Sequence, residues 1–314
     1  MRPVLVTGSN RSGTSWLGKM LCLSRELVYV WEPFNFEEYR PDILPRHPLE
    51  RHFQRIQPEQ QGPMGRFMLW CVLHDAIRQT ERGPGPAELV TKSLRVAGII
   101  AGLILRKKAP LFKDPIALMS AEWVADRFDA RVVISVRHPA AYVNSVRRLD
   151  WRTPVEDFTE QPRLLESLPA DLREALLKRV SERPMPEHFD LVDAALCWRV
   201  FYTVVADYRL GHPDWIVLRH EDMCRDYIGG FRRLYDSLGM TWTDEIASEI
   251  ESRCGHANTV VQGDVTHAQA QDSRAVADIW RERFTSEELR TIRELTSPAW
   301  EAFYSPGTWE RESG

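Results

Sequence analysis

The sequence predicts a three-layer α/β/α fold built around a central parallel sheet. Apolar runs of strand length alternate along the chain with segments of helical periodicity. This alternation is typical of strands that are buried in a parallel sheet and joined by helices. Binding residues in such sheets lie at the carboxyl ends of the strands, so the residues that follow each apolar run are the candidates for function.

The predicted elements come in a regular order. The strands are Val4 to Thr7, Leu27 to Trp31, Ala109 to Phe112, Arg131 to Val136 and Trp215 to Leu218. The clearer helices are Thr14 to Cys22, Met64 to Thr80, Ile116 to Phe128, Ala140 to Leu149, Leu191 to Arg209, Tyr227 to Leu238 and Leu289 to Phe303. The last of these is preceded by a start signal, Thr285-Ser286 before two glutamates.

The length of 314 residues suits one α/β domain, and we expect residues 1–314 to form it with two insertions. Residues 35–108 are rich in Pro, Gly, Gln, Arg and His, and Gly83-Pro84-Gly85-Pro86 breaks any regular element there. Residues 150–186 carry five prolines and are expected to be irregular. Both insertions are expected to lie over the sheet edge.

Composition excludes several classes of protein. A net charge of −4 argues against a nucleic-acid binder, so any anion site must be a local basic pocket. Five scattered cysteines without a C-x-x-C pair indicate free thiols in a reducing compartment, and no zinc spacing is present. No signal peptide and no apolar run of about 20 residues is found, which predicts a cytoplasmic protein without a membrane span.

The first strand runs straight into a glycine-framed, hydroxyl-rich turn. Gly8 and Gly13 enclose four residues, as in a phosphate loop, and a helix follows. The lysine expected after the second glycine is replaced by Thr14-Ser15, and the positive charge lies inside the loop at Arg11. A tight turn of purely geometric purpose is the alternative. The predicted phosphate-binding residues are Asn10, Arg11, Ser12, Gly13, Thr14 and Ser15.

The strand Arg131 to Val136 ends in a cation, Arg137, followed by His138-Pro139. An ATPase or kinase of the phosphate-loop class usually places an Mg²⁺-binding Asp at such a strand end. A cation there attracts an anion instead, and Ser145 lies eight residues later on a nearby helix face. We therefore expect Arg137 and Ser145 to share one phosphate group; a surface arginine and a solvent-facing serine are the alternative.

These segments together resemble the sulfotransferases that use 3′-phosphoadenosine 5′-phosphosulfate. The residues from Arg11 to Trp16 resemble the family's 5′-phosphosulfate loop, and those from Val133 to Pro139, with Ser145, resemble its 3′-phosphate segment. The stretches Trp31-Glu32-Pro33-Phe34 and Phe112-Lys113-Asp114-Pro115 are closer to the carbohydrate and tyrosyl-protein enzymes than to the small-phenol ones. The similarity spans residues 4–238 and includes Val217 to Met223.

The resemblance implies a fold like that of the phosphate-loop NTPases and sulfuryl transfer to a hydroxyl, less readily to an amine. Arg11 and Lys113 would stabilise charge on the bridging oxygen of the leaving group, so no metal is implied. An arginine keeps its proton, so the role of Arg11 would be electrostatic. Ser12 to Ser15 would hold the 5′-phosphosulfate, and Trp280 and Arg281 would contact adenine and the 3′-phosphate.

Glu32 is the expected general base for the acceptor hydroxyl. Its apolar neighbours Trp31, Pro33 and Phe34 predict a pKa above the reference value of about 4.3. Helix capping, or pairing with Arg11, is the alternative for Glu32, and a salt bridge to Asp114 or another neighbour is the alternative for Lys113. Possible rival bases are His47, His52, His74 and His138.

Two further function classes and the acceptor stay open from sequence. A phosphotransferase or nucleotide hydrolase of the phosphate-loop class is one alternative, and a non-catalytic nucleotide-binding module is the other. The insertions, residues 35–108 and 150–186, are expected to shape the acceptor pocket. Their mixture of basic, aromatic and proline residues suits small-molecule, glycan and peptide acceptors alike.

Overall fold

A computed structural model describes residues 1–37, 47–78, 97–105, 107–182, 186–255 and 277–310. Thr80, Gly83 to Pro86 and parts of both predicted insertions lie outside the described residues. No helix within the described ranges is long and apolar enough to cross a bilayer.

The five strands form one sheet in the order β2-β3-β1-β4-β5. They are β1 (Val4–Gly8), β2 (Leu27–Trp31), β3 (Ala109–Lys113), β4 (Arg131–Val136) and β5 (Ile216–Arg219). β3 pairs in parallel with β1 and with β2, and the register sets Lys113 beside Val6 on one side and Trp31 on the other. The predicted α/β class with a central parallel sheet is confirmed, and each strand lies within one residue of its predicted bounds.

The described α-helices follow in chain order. They are α1 (Thr14–Leu21), α2 (Pro58–Arg78), α3 (Ala121–Phe128), α4 (Pro139–Arg147), α5 (Glu156–Thr159), α6 (Pro162–Ser167), α7 (Ala170–Glu182), α8 (Leu191–Gly211), α9 (His220–Arg225), α10 (Tyr227–Ser237), α11 (Asp244–Cys254) and α12 (Ser286–Thr296). Residues 97–104 are also helical. Short 3₁₀ turns occupy Cys22–Ser24, Ile116–Ser120, Ile279–Glu282, Ala299–Ala302 and Pro306–Trp309.

The described chain divides into two compact units. The first unit consists of residues 1–7, 14–133 and 233–246. Its core is apolar and fully buried: Leu5, Leu17, Val30 and Phe112 are each 0% exposed. Tyr235 of α10 donates a hydrogen bond of 2.6 Å to the carbonyl of Met20 near the end of α1.

The second unit consists of residues 8–13, 134–232 and 247–314. It is organised around α8, which begins at the N-cap Asp190, whose side chain accepts from the N–H groups of Val192 and Asp193. Helix α8 is buried along most of its length and packs against α4, α7 and α12. A helix with this much buried surface indicates the core of the unit.

Two expectations about the helices needed correction. The described part of the second predicted insertion, residues 150–182, is not irregular, because it contains α5, α6 and α7. Pro162 stands at the start of α6, where its fixed φ suits a helix. The predicted closing helix ends at Thr296 rather than Phe303, since Ser297 precedes Pro298 and is extended with ψ 147°. Its predicted start is confirmed by a capping box between Thr285 and Glu288.

Candidate active site

The loop after β1 needs both of its glycines. Gly8 has φ 147°, and a Cβ there would lie 2.7 Å from Ser12 Oγ and closer still to the carbonyl oxygen of Ser135. Gly13 has φ 93°, and a Cβ there would lie 2.7 Å from His220 Cε1. Only glycine combines this backbone with this close approach. The glycine frame seen in the sequence therefore has a geometric cause.

Hydrogen bonds inside the second unit hold the loop in one shape. The N–H and hydroxyl of Ser12 donate to the carbonyl of Ser9 at 3.2 and 2.6 Å, and Ser135 Oγ donates to the carbonyl of Ser12 at 2.6 Å. The side-chain oxygen of Asn10 accepts a hydrogen bond of 3.2 Å from the Tyr142 hydroxyl. Arg11, at the tip, adopts φ 64°, which is uncommon for a residue other than glycine and is often found at functional sites.

The second unit brings Arg11, Arg137 and Ser145 together. Arg11 Nε donates to Ser145 Oγ at 3.1 Å, and Arg137 Nη1 donates to the carbonyl of Arg11 at 2.6 Å. The buried Nε of Arg137 has no hydrogen-bond partner among the described residues, and Arg137 makes no ion pair with a described carboxylate. A buried N–H of this kind normally has an acceptor, so the cluster suits an anion.

The arginine cluster keeps its positive charge. Burial lowers the pKa of Arg11 to about 10, and the positive charges of Arg137 and Arg148 add to this effect. Burial also lowers the pKa of Arg137, against the opposing effect of Glu221. Arg11 therefore remains a cation at neutral pH, and two guanidinium groups so close together favour an anion between or beside them.

In the first unit, helix α1 begins directly after the loop. Its N-terminal residues Thr14 and Ser15 are buried and half-buried, and Ser15 forms a side-chain hydrogen bond with Tyr29. Further along α1, a Cβ on Gly18 would lie 2.9 Å from the Tyr29 ring and 3.3 Å from Lys113 Cγ. The N-terminus of α1, which attracts anions, is thus tied to β2 and β3.

Glu32 and Lys113 form an ion pair at the ends of β2 and β3. Lys113 Nζ donates to Glu32 Oε1, Asn35 Nδ2 donates to Glu32 Oε2 at 2.9 Å, and the Glu32 N–H donates to the Lys113 carbonyl at 2.9 Å. Lys113 is 1% exposed and lies 5.8 Å from the centre of the Trp31 ring. Glu32 has φ 44°, a second strained backbone among the predicted site residues.

The expectation of a raised pKa for Glu32 was wrong. Burial raises the pKa, as predicted, but the charge and hydrogen bond of Lys113, with the hydrogen bonds of Asn35 and Trp31, outweigh it and leave the pKa below the ordinary value. Glu32 is therefore ionised at neutral pH, which is the state that a general base requires. The alternative for Lys113, a salt bridge to a neighbour, is realised with Glu32.

Asp114 is buried and accepts backbone hydrogen bonds instead of pairing with Lys113. Its Oδ2 accepts from the N–H of Phe34 at 2.6 Å, and its Oδ1 accepts from Ile116 and Ala117 at 3.0 and 3.2 Å. Burial raises the pKa of Asp114 to about 7, and the charge of Glu32 adds to it. Asp114 thus fixes the turn that carries Glu32, a role that the sequence did not reveal.

Trp280 and Arg281 lie in the second unit, in a setting unlike the predicted one. Trp280 is 2% exposed and stacks on His138 with centroids 4.5 Å apart and planes at 12°. Arg281 covers the Trp280 ring at 4.8 Å and pairs with Asp278. This is the packing of a core tryptophan, so it gives adenine stacking no support, and the assignment stays a prediction.

The histidines proposed as rival bases have structural contacts. His138 is fully buried beside Trp280, and burial lowers its pKa. His47 Nε2 lies 2.8 Å from the carbonyl of Pro33, and His74 lies 3.1 Å from Asp75. His52 pairs with Glu37 at 3.7 Å.

Sequence reasoning missed Asn35, Tyr202 and His220. Asn35 orients Glu32, Tyr202 bonds to the loop at Ser9, and the ring of His220 packs against Gly13. Asn35 lies three residues after Glu32, so turn spacing offered a signal for it. The other two lie far away in sequence and gave none.

A sulfotransferase family model and three solved sulfotransferase structures are similar to this chain. The model of the sulfotransferase family matches residues 3–244, and no curated protein matches the chain. Among solved structures, the sulfotransferase domain from the Synechococcus PCC 7002 olefin synthase is 20% identical, with 97% of this chain and 95% of that chain covered and a TM-score of 0.46. The sulfotransferase domain from the curacin biosynthetic pathway is 15% identical, with 94% and 98% covered and a TM-score of 0.45.

Mouse sulfotransferase SULT7A1, complexed with PAP, is 13% identical, with 98% of this chain and 87% of that chain covered and a TM-score of 0.42. The structural likenesses are distant, whereas the family model covers well over half of the chain and includes the loop, Glu32, Lys113, Arg137 and Ser145. The chain therefore belongs to the sulfotransferase family and is an enzyme of that class.

Proposed function

We propose that this enzyme transfers a sulfuryl group from 3′-phosphoadenosine 5′-phosphosulfate to an acceptor hydroxyl, less readily to an amine, and releases adenosine 3′,5′-bisphosphate. The observation that carries the proposal is the cluster of Arg11, Arg137 and Ser145, in which the buried Nε of Arg137 has no hydrogen-bond partner among the residues that the structure describes. Membership of the sulfotransferase family favours this reaction over the phosphotransferase and the non-catalytic alternatives.

In this proposal Arg137 and Ser145 hold the 3′-phosphate of the donor, and the loop from Asn10 through Ser15 holds the 5′-phosphosulfate. Arg11 adds positive charge where the leaving oxygen becomes negative, so metal assistance is not required. The loop backbone supports this role because hydrogen bonds within the loop and from Ser135 hold its shape. The donor supplies the activated sulfuryl group.

Glu32 accepts the proton of the acceptor hydroxyl, and Lys113 supports the leaving oxygen. The ion pair between them favours these roles, because Lys113 keeps Glu32 ionised while Glu32 orients the ammonium group. Asn35 holds the second carboxylate oxygen of Glu32. We also propose that residues 35–108 and 150–186 shape the pocket of a small-molecule, glycan or peptide acceptor.

A cytoplasmic location belongs to the same proposal. None of the five cysteines, all of which the structure describes, forms a disulfide, and four of them are buried. This usage is typical of proteins in a reducing compartment.

The proposal predicts a selective loss when Arg137 is removed. Arg137→Ala should weaken the binding of adenosine 3′,5′-bisphosphate roughly 10- to 100-fold and change the affinity for ADP little, because only the bisphosphate carries the 3′-phosphate. Titration calorimetry with both nucleotides measures this. Arg131→Ala, at the other end of β4, is the matched control and should change neither affinity. Equal weakening of both nucleotides by Arg137→Ala would refute the role.

Transfer itself is tested with a donor that carries radiolabelled sulfur and a panel of phenolic, glycan and peptide acceptors. Labelled product with at least one acceptor, lost in Glu32→Gln, supports the proposal. Consumption of ATP with Mg²⁺ and no sulfuryl transfer across the panel contradicts it.

A further inference from the structure

Helix α8 presents two polar atoms to the end of β4 inside the second unit. Trp198 and Tyr202 lie one turn apart and are each 0% exposed. Trp198 Nε1 donates to the carbonyl of Arg137 at 2.8 Å, and the N–H of Arg137 donates to the Tyr202 hydroxyl at 3.2 Å. The backbone of Arg137 is therefore held on both sides by one helix.

The Tyr202 hydroxyl also contacts the loop. It lies 2.9 Å from Ser9 Oγ, and it donates to the carbonyl of Ser135 at 3.3 Å. When the Tyr202 hydroxyl donates its hydrogen bond to the Ser135 carbonyl, its oxygen accepts hydrogen bonds from the Arg137 N–H and the Ser9 O–H. All three hydrogen bonds are therefore compatible. Burial raises the pKa of Tyr202 to about 12, and the hydroxyl keeps this proton at neutral pH.

We propose that Tyr202 is a positioning residue whose single hydroxyl fixes the position of the loop residue Ser9 relative to the strand-end residue Arg137. Under the proposed function, on which this inference rests, that relative position sets the distance between the 5′-phosphosulfate loop and the arginine that binds the 3′-phosphate. A ligand with two phosphate groups needs this spacing, whereas a ligand with the 5′-phosphate alone does not.

The surrounding contacts explain why one hydroxyl has this effect. The Arg137 side chain reaches Arg11, the tip of the loop, and Ser135 Oγ holds the carbonyl of Ser12. Loss of the Tyr202 hydroxyl leaves the buried N–H of Arg137 without its acceptor, so β4 must shift to satisfy it. A shift well below 1 Å is enough to weaken a charge-assisted bond to phosphate.

Tyr202→Phe tests this with two ligands. The dissociation constants of adenosine 3′,5′-bisphosphate and adenosine 5′-phosphate are measured by calorimetry. Their ratio reports the gain in affinity that the 3′-phosphate provides. We expect that gain to fall roughly five- to tenfold in Tyr202→Phe, with a smaller change for adenosine 5′-phosphate. A purely structural tyrosine would lower the melting temperature and leave the ratio unchanged.

Tyr235→Phe is the matched control, because Tyr235 is also 0% exposed and its hydroxyl also bonds to a backbone carbonyl, that of Met20. It should lower the melting temperature and keep the ratio. Ser9→Ala removes the loop side of the Tyr202 bond and should also reduce the ratio; it decides the question if Tyr202→Phe does not fold.

The two proposals fail in different ways. If the unmodified enzyme binds both nucleotides equally, the proposed 3′-phosphate site is wrong. If the enzyme discriminates between them and both Tyr202→Phe and Ser9→Ala discriminate equally well, the 3′-phosphate site stands and the positioning role of Tyr202 is refuted.

Discussion

Glu32 shows at the scale of one residue how a half-buried carboxylate is kept ionised. Burial among Trp31, Pro33 and Phe34 alone would raise its pKa, but the ammonium group of Lys113 outweighs burial. The ion pair therefore couples the candidate base to the candidate cation, so neither acts independently of the other.

Removing the charge of Glu32 should abolish most of the turnover. Glu32→Gln keeps the size of the side chain but cannot accept the proton, so kcat should fall by about 10²- to 10⁴-fold. The affinity for adenosine 3′,5′-bisphosphate should stay within about twofold, as measured by calorimetry. A variant that loses nucleotide affinity but keeps its turnover would contradict the base assignment.

The pH dependence of turnover separates the effect of burial from the effect of Lys113 on the pKa of Glu32. Because the pKa of Glu32 is lowered, the midpoint of the acid limb of the kcat profile should lie below the ordinary value of 4.5. In Lys113→Met, burial is no longer opposed, so the acid limb of the profile should move to higher pH. Steady-state rates across the pH range measure the midpoint, which does not depend on how much activity remains. An unmoved midpoint would show that Lys113 does not set the pKa of Glu32.

At the scale of one element, the loop between β1 and α1 owes its shape to glycine. Gly13→Ala should destabilise the enzyme by about 1–3 kcal/mol, because φ 93° is unfavourable for alanine and the new methyl group collides with His220. The affinity for adenosine 3′,5′-bisphosphate should fall as well. Thermal unfolding and calorimetry measure both effects.

Gly211→Ala is the control for this substitution. Gly211 ends α8, and a Cβ there would meet nothing within 4 Å. Alanine should leave the melting temperature unchanged or raise it slightly. Equal behaviour of the two variants would mean that the loop does not depend on glycine.

Secondary-structure elements that depend on local sequence patterns were predicted well. The strands are apolar runs, and the capping box of α12 is a local pattern of Thr285 and Glu288. The helices of residues 150–182 are not predicted, because prolines in a sequence suggest irregular structure, whereas Pro162 begins a helix. A proline's effect depends on its position in an element, which composition does not show.

At the scale of the whole molecule, Asp114 links the site to the stability of the fold. Its pKa rises from the ordinary 3.8 to about 7 in the folded protein. Between these values the folded protein keeps a proton that the unfolded chain loses, so Asp114 makes the free energy of unfolding decrease as the pH rises through this window.

Asp114→Asn should remove this contribution. Denaturant titration measures the free energy of unfolding of the variant and of the unmodified enzyme. As the pH rises from about 4 to about 7, the variant should become more stable relative to the unmodified enzyme. Asp236→Asn, at an exposed position of α10, is the control. A constant difference for Asp114→Asn would show that its carboxyl is already ionised at pH 4.

The sequence by itself determined the family, the strand order along the chain and the residues that end the strands. The glycine-framed loop, Glu32, Lys113, Arg137 and Ser145 were identified as candidates because a strand, its terminal residue and the next helix are neighbours in sequence, so local patterns carry their signal.

Only the tertiary structure decided how these residues pair. Lys113 meets Glu32 from 81 positions away, Ser145 meets Arg11 from 134, and Tyr202 meets Ser9 from 193. Such pairings depend on how strands and helices pack. Burial raises the pKa of Glu32, as the sequence predicted, but the packing that places Lys113 beside it reverses the net shift. Local patterns thus identified candidate chemical groups, while packing set their charge states and partners.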